Sequence, residues 1–233
     1  GGVILLHDLQ VDGNGNVWLL AHIKQTVQVD TASIQSQSGS GDMLLASFNG
    51  SGTITWYMTI NEPDRGFSLA ASADGGLVVA RADSVVKYSA AGTRVWGKAY
   101  SIMNSFDMVT DAASNVYIVG NIGTSAAGNQ FFDDQTYTAY DGSVVLGKFN
   151  TSGILQWYKH YEIDTATGPN FNCDHLAIDP SDNSILLGAE FWDTLSFGGS
   201  NLKEPTINGL HLMVAKLNTS GTEQWARQSH GQA

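Results

Sequence analysis

Residues 212–225 read LMVAKLNTSGTEQW. Alternating apolar positions, a short polar turn closing on glycine and a tryptophan four residues later describe two antiparallel strands joined by a hairpin. The construction occurs four times: SGTITW ends at Trp56, AGTRVW at Trp96, SGILQW at Trp157 and SGTEQW at Trp225. A strand ending in SFNGSG, KYSAAG, KFNTSG or KLNTSG leads into each.

Working outward, a second block recurs upstream of each hairpin: DGNGNVWLLA from Asp12, SADGGLVVA from Ser72, DAASNVYIVG from Asp111 and DPSDNSILLG from Asp179. One further short strand precedes each block, as in LHDLQV (6–11) and DHLAI (174–178). The aspartates, asparagines and glycines in these turns suit the left-handed and side-chain-bonded geometry of tight hairpins. The order strand, turn, strand, loop, strand, turn, strand therefore repeats in units of about 1–60, 61–100, 101–161 and 162–233.

A four-stranded sheet with two apolar faces cannot hide both by itself, so it needs neighbours. Radial stacking of such sheets gives propeller blades with the first strand innermost. The expectation is an all-β chain, with almost no helix, forming one β-propeller-like domain over 1–233 from four antiparallel blades. These either close a small ring or belong to a larger ring or an open array. The four repeated tryptophans Trp56, Trp96, Trp157 and Trp225 are expected to pack within or between blades.

The Asp-x-x-x-Asn turn before an apolar strand, the loop LSFGGSNL (195–202) and the run VAKLNTSG before a tryptophan strand together resemble the bacterial β-propeller repeat family called SBBP. The resemblance covers nearly the whole chain and is best in the last unit. It departs most in the second, which lacks the long loop. It implies a seven-bladed family pattern and adhesion or scaffold roles, since a fold does not by itself fix a function.

Composition narrows the partners. With a net charge of −11 and only 11 Lys plus Arg, the long-range field repels phosphate backbones and anionic lipid, so nucleic acid is not expected. No run of 18 apolar residues occurs, so no membrane insertion by this segment is expected. The single cysteine, Cys173, excludes an intrachain disulfide and is expected to be a small buried hydrophobe. A start at Gly1-Gly2, few lysines and abundant Ser, Thr, Gly and Asn lead to the expectation of a secreted or cell-surface bacterial protein, as a processed product or a piece of a longer one.

Turn lengths label the two edges of each unit. One edge carries tight turns; the other carries long loops near Ile23 to Gly41, Asn121 to Gly142 and Phe191 to Gly209, and the linker Glu162 to Asn172. Long loops on a rigid scaffold are where binding usually resides. Phe131, Phe132, Tyr137, Tyr140, Phe191 and Trp192 lie there beside Asp133, Asp134, Asp193 and Glu204. Of these, Phe131, Phe132, Tyr137, Tyr140, Trp192 and Asp193 are the candidate ligand-binding residues, because rings stack on sugar faces while carboxylates accept from hydroxyls. The alternative is that the rings fold inward as anchors.

Aligning the first strands places Asp8, Ser68, Asp107 and His175 at one position. If these side chains met at an axis, Asp8, Asp107 and His175 could hold Ca or another cation. The alternative is that the carboxylates bond to neighbouring backbone amides. The DGNGN turn at Asp12 begins like a calcium loop but lacks its later glutamate. No HExxH, P-loop, GxSxG or CxxC pattern appears, so no catalytic residue and no cofactor is expected.

Three functions compete: a non-enzymatic extracellular module that binds a protein or assembles with itself, a carbohydrate-binding propeller, and a glycosidase-like enzyme. The last would need carboxylates such as Asp133 and Asp193 to converge across a cleft at about 5 to 9.5 Å.

Overall fold

The structure is a computed structural model that describes residues 2–61, 68–81, 83–101, 103–122, 128–139, 143–161, 171–192, 194–197, 200–203 and 210–229. Among these residues there is no helix, and all extended structure falls into sheets. The chain divides into two compact units, Gly1–Lys98 and Ala99–Ala233.

Unit 1 opens with sheet I. Its strands are β1 (Val3–Val11), β2 (Val17–Lys24), β5 (Asp42–Phe48) and β6 (Ile54–Ile60), with a separate hairpin of β3 (Thr26–Val29) and β4 (Ala32–Gln35) between β2 and β5. Sheet II follows as β7 (Ser68–Ala71), β8 (Leu77–Ala80), β9 (Ser84–Tyr88) and β10 (Arg94–Ala99), paired in chain order. A tight turn from Arg81 to Ser84 replaces the extra hairpin.

Unit 2 repeats the plan twice. Sheet III contains β11 (Met103–Thr110), β12 (Val116–Ile122), β15 (Val144–Phe149) and β16 (Leu155–Tyr161), and β13 (Gly128–Phe132) pairs β14 (Gln135–Ala139) as its extra hairpin. Sheet IV contains β17 (Phe171–Ile178), β18 (Ile185–Trp192), β21 (Leu210–Leu217) and β22 (Glu223–Gln228), with β19 (Thr194–Phe197) and β20 (Ser200–Lys203) as the hairpin.

The turns follow from side-chain chemistry. In the turn between the third and fourth strands, Asn49, Asn150 and Asn218 each accept two backbone N–H bonds through Oδ1, and Ser89 fills that place in sheet II. The glycine that completes the turn is left-handed in all four sheets, with φ of 81° at Gly52, 76° at Gly92 and Gly153 and 79° at Gly221. In the turn between the first two strands, Asp12 accepts from the Asn14 and Asn16 amides and from Asn16 Nδ2, and Asp111 repeats this with Ala113 and Asn115. The oxygens of Asp12 are thus engaged in holding a hairpin.

Sheets pack in pairs. The face of sheet I bearing Trp18, Leu20, Met43 and Leu45 meets Leu69, Leu77, Val79, Val86 and Tyr88 of sheet II. In unit 2, Tyr117, Val119, Val144 and Leu146 of sheet III meet Cys173, Leu176, Ile185, Leu187, Ala215 and Leu217 of sheet IV. Cys173 is fully buried there, as a small apolar residue would be. We call the face turned to the following sheet trailing and the opposite one leading.

The extra hairpins cover apolar surface. Val27 and Ile34 of β3 and β4 close over Ile23, Leu44 and Ala46 on the leading face of sheet I. Phe132 of β13 stacks on Tyr100, Phe149 and Tyr158 and lies over Gly147, where any side chain would strike its ring. Phe197 and Leu202 of the β19–β20 hairpin join the core between sheets III and IV.

Candidate functional site

The most organised constellation is a joint between successive sheets, and it appears once in each unit with the same parts. Trp56 on β6 donates its indole N–H to the Ala90 carbonyl at 2.8 Å, in the last turn of sheet II. Trp157 on β16 donates to the Thr219 carbonyl at 3.1 Å, at the same turn position in sheet IV. Each ring lies on the turn glycine: a Cβ built at Gly92 falls 3.1 Å from Trp56, and one at Gly221 falls 3.0 Å from Trp157. Glycine is required here twice over, by its positive φ and by the ring against it. Behind each tryptophan stands another aromatic ring, Trp18 at 5.4 Å and Tyr117 at 6.1 Å.

An aspartate forms the other end of the joint. Asp8 Oδ2 accepts from the Leu69 amide at 2.7 Å while Oδ1 accepts from Leu9 N–H. Asp107 Oδ2 accepts from the Leu176 amide at 2.8 Å while Oδ1 accepts from Met108 N–H. Each carboxylate therefore ties one first strand to the next, satisfying an amide that lies outside the pairing within its own sheet. These are the residues considered for a cation. In unit 2, Asp107 turns to Leu176, and its neighbour in register, His175, is exposed. Among the described residues, no three His, Cys, Asp or Glu side chains are placed to hold a metal.

Other charges also serve the scaffold. Lys159 meets Glu223 at 2.8 Å across the joint of unit 2, and the Tyr161 hydroxyl donates to the same carboxylate. Burial opposes the charge on Glu223, but the Lys159 ammonium and the neighbouring donors outweigh it and hold the carboxyl below its ordinary value. Burial and then the Glu223 charge push the Tyr161 phenol above its usual range. In sheet IV, Lys216 lies 2.8 Å from Asp179 and 3.0 Å from Asp182; it lowers the Asp179 carboxyl, while the Ser184 hydroxyl and amide, and then Lys216, lower that of Asp182. In sheet II burial opposes the charge on Asp74, but Lys87 at the matching position, together with the Ser72 and Gly76 donors, outweighs it and lowers the carboxyl.

The candidate loop residues divide. Phe132 is fully buried, so it anchors its hairpin and offers no ring on the surface. Phe191 is likewise buried, packed against His211. The side chains of Phe131, Tyr137 and Trp192, and the whole of Tyr140, Asp193 and Glu204, lie outside the described residues. The repeated tryptophans divide too. Trp56 and Trp157 are half-buried in the joints described above, Trp96 is half-buried, and Trp225 is exposed.

No family model and no curated protein matches the chain. The fold does have likenesses among solved structures. A Bacteroides caccae protein of unknown function is 11% identical over 79% of this chain and 68% of its own, with a TM-score of 0.42. The extracellular domain of a putative one-component system from B. thetaiotaomicron is 10% identical over 94% of this chain and 33% of its own, with a TM-score of 0.41. The Neurospora crassa Pan2 WD40 domain is 10% identical over 93% and 87%, with a TM-score of 0.32. None of these scores reaches 0.5.

Sequence reasoning missed two apolar surfaces. Ile4, Leu6, Leu9 and Val11 line one face of β1, and Leu212, Val214 and Trp225 line one face of sheet IV; all are exposed. Their signal was present in the alternation of VILLHDLQV and LMVAKL, which marks apolar faces without saying which of them is covered.

Proposed function

We propose that this chain is a non-enzymatic module of the β-propeller class, built of four blades like those of the SBBP repeats it resembles, which works outside the cell or at its surface by binding a partner along its loop edge. The observation that carries this reading is an asymmetry of edges. Three of the four sheets send an extra hairpin out between their second and third strands, whereas the turns at the other edge are tight and closed by Asp, Asn and Gly. Insertions confined to one edge of a repeated scaffold are how repeat proteins build a binding surface without disturbing their packing. The absence of a nucleophile or metal motif from the sequence favours binding over chemistry, and the Lys159–Glu223, Lys216–Asp179 and Lys87–Asp74 pairs serve the joint and the turns.

The test is a binding screen of the purified chain against a glycan array and bacterial envelope proteins, repeated with Trp192→Ala, Tyr137→Ala and Tyr140→Ala. Binding lost in these variants with melting unchanged supports the loop edge, and glycan hits would define the partner as carbohydrate. Cleavage of any arrayed glycan would overturn the non-enzymatic reading.

A further inference from the structure

The joint that recurs in both units has two halves, and each half also occurs once more, exposed, among the described residues. The donor half is a trailing face: a tryptophan on the fourth strand with two apolar residues on the third. In sheet I these are Trp56, Met43 and Leu45, and in sheet III they are Trp157, Val144 and Leu146. The four third-strand residues are all buried. By register, the same three positions in sheet IV are Trp225, Leu212 and Val214. There they are 38%, 58% and 50% exposed.

The acceptor half is a leading face: apolar residues on the first strand and a glycine turn before the fourth. In sheet IV these are Cys173, Leu176 and Ile178 with Gly221, and in sheet II Leu69 and Ala71 with Gly92. The equivalent positions in sheet I are Leu6, Leu9 and Val11 with Gly52. These three side chains are 59%, 52% and 60% exposed, and a Cβ at Gly52 would meet nothing within 4 Å.

We propose that a second copy of this chain seats the leading face of its sheet I on the trailing face of sheet IV, with Trp225 donating to the Asn49–Thr53 turn as Trp157 donates to its own acceptor turn. Each exposed face continues an established interface, because it carries the residues that, one sheet along, make a buried joint. The β3–β4 hairpin on the leading face is no bar, because the β19–β20 hairpin occupies the joint between sheets III and IV. The aspartate tie of both joints and the Lys159–Glu223 pair of unit 2 are missing from this one. His175 stands at the register position of Asp107, and Arg227 stands where Lys159 stands but faces Ile54 in place of Glu223. With the Trp225 N–H bond as its one polar tie, the contact is weaker than the joints within a unit, so assembly depends on concentration. Being head-to-tail, it closes a ring if its rotation allows and runs on as a filament if it does not.

Trp225 and Leu9 lie on the edge strands β22 and β1, not on the β13–β14 hairpin that carries Tyr137, and the experiment keeps assembly and loop-edge binding apart. Sedimentation velocity of the chain over a thousandfold concentration range is expected to show mass rising above that of one copy and falling again on dilution. Trp225→Ala and Leu9→Lys should each return it to a single copy with unchanged melting. Mixing the two variants should restore a pair, since one intact half survives on each. Tyr137→Ala, on the extra hairpin of sheet III, should leave assembly untouched. A single copy at every concentration, or assembly indifferent to both substitutions, would overturn the proposal. So would a lowered melting midpoint of dilute Trp225→Ala, which would mean that the ring is already covered within its own chain.

Discussion

The joint of unit 1 and the joint of unit 2 use the same tryptophan, the same glycine turn and the same aspartate, yet they differ in what surrounds them. Unit 2 adds the β19–β20 hairpin, the Tyr161–Phe197 stack at 5.1 Å and the Lys159–Glu223 pair. Among the described residues, unit 1 shows none of these at its joint, and sheet II turns directly from β8 to β9. The shared parts are therefore the minimum that fixes one sheet on the next. What unit 2 adds is reinforcement that varies without altering the joint.

The comparison is most directly broken by removing the ring. Trp157→Ala and Trp56→Ala should each cost about 3 to 5 kcal/mol in chemical denaturation. A loss confined to one of them would end the equivalence. Removing the carboxylate comes next: Asp107→Ala and Asp8→Ala leave the Leu176 and Leu69 amides unpaired and should cost about 1 to 3 kcal/mol each. Adding a methyl sharpens the picture. Gly92→Ala and Gly221→Ala meet both the left-handed backbone and a tryptophan ring, whereas Gly52→Ala meets only the backbone, at about 1 to 2 kcal/mol. The first two should lower the melting midpoint more than the third.

Charge reinforcement gives the smallest effects and has a pH sign. The carboxyls of Asp74, Asp179, Asp182 and Glu223 are all lowered in the folded chain. Their contribution is present above their unfolded values, about 4, and is lost as pH falls through the lower folded ones. Melting should therefore decline below about pH 4, and Lys216→Met should flatten part of that decline. The Tyr117 and Tyr161 phenols are raised by burial and by a neighbouring carboxylate, so their contribution is whole below about pH 10 and is lost as pH rises beyond it. Alkaline destabilisation that Tyr161→Phe leaves unchanged would remove that phenol from the account.

How much of this was legible in the sequence follows from what kind of interaction decides each part. The Gly-to-Trp spacing and the Asp-x-x-x-Asn turn are local chemistry, set by φ angles and by side chains bonding to nearby amides, and they marked the hairpins residue by residue. The place of Phe132 was not legible, because a ring in a long insertion reads alike whether it faces solvent or lies over Gly147. The aspartates show the same limit from the other side. Their alignment in register was visible, but whether Asp8 and Asp107 point to an axis or to the next strand depends on how sheets pack, which a linear pattern does not carry. The pairing of sheets into two units was hidden for the same reason. All four tryptophans carry the same local motif, and only the neighbouring turn separates a ring in a joint from one in water.

The central claim, that one joint is used twice, is tested most directly by hydrogen exchange at the indole N–H groups, followed by NMR in dilute solution where self-association is absent. The account predicts slow and similar exchange for Trp56 and Trp157, each bonded to a turn carbonyl, and fast exchange for Trp225. Trp56 and Trp157 differing widely, or either exchanging as fast as Trp225, would contradict it.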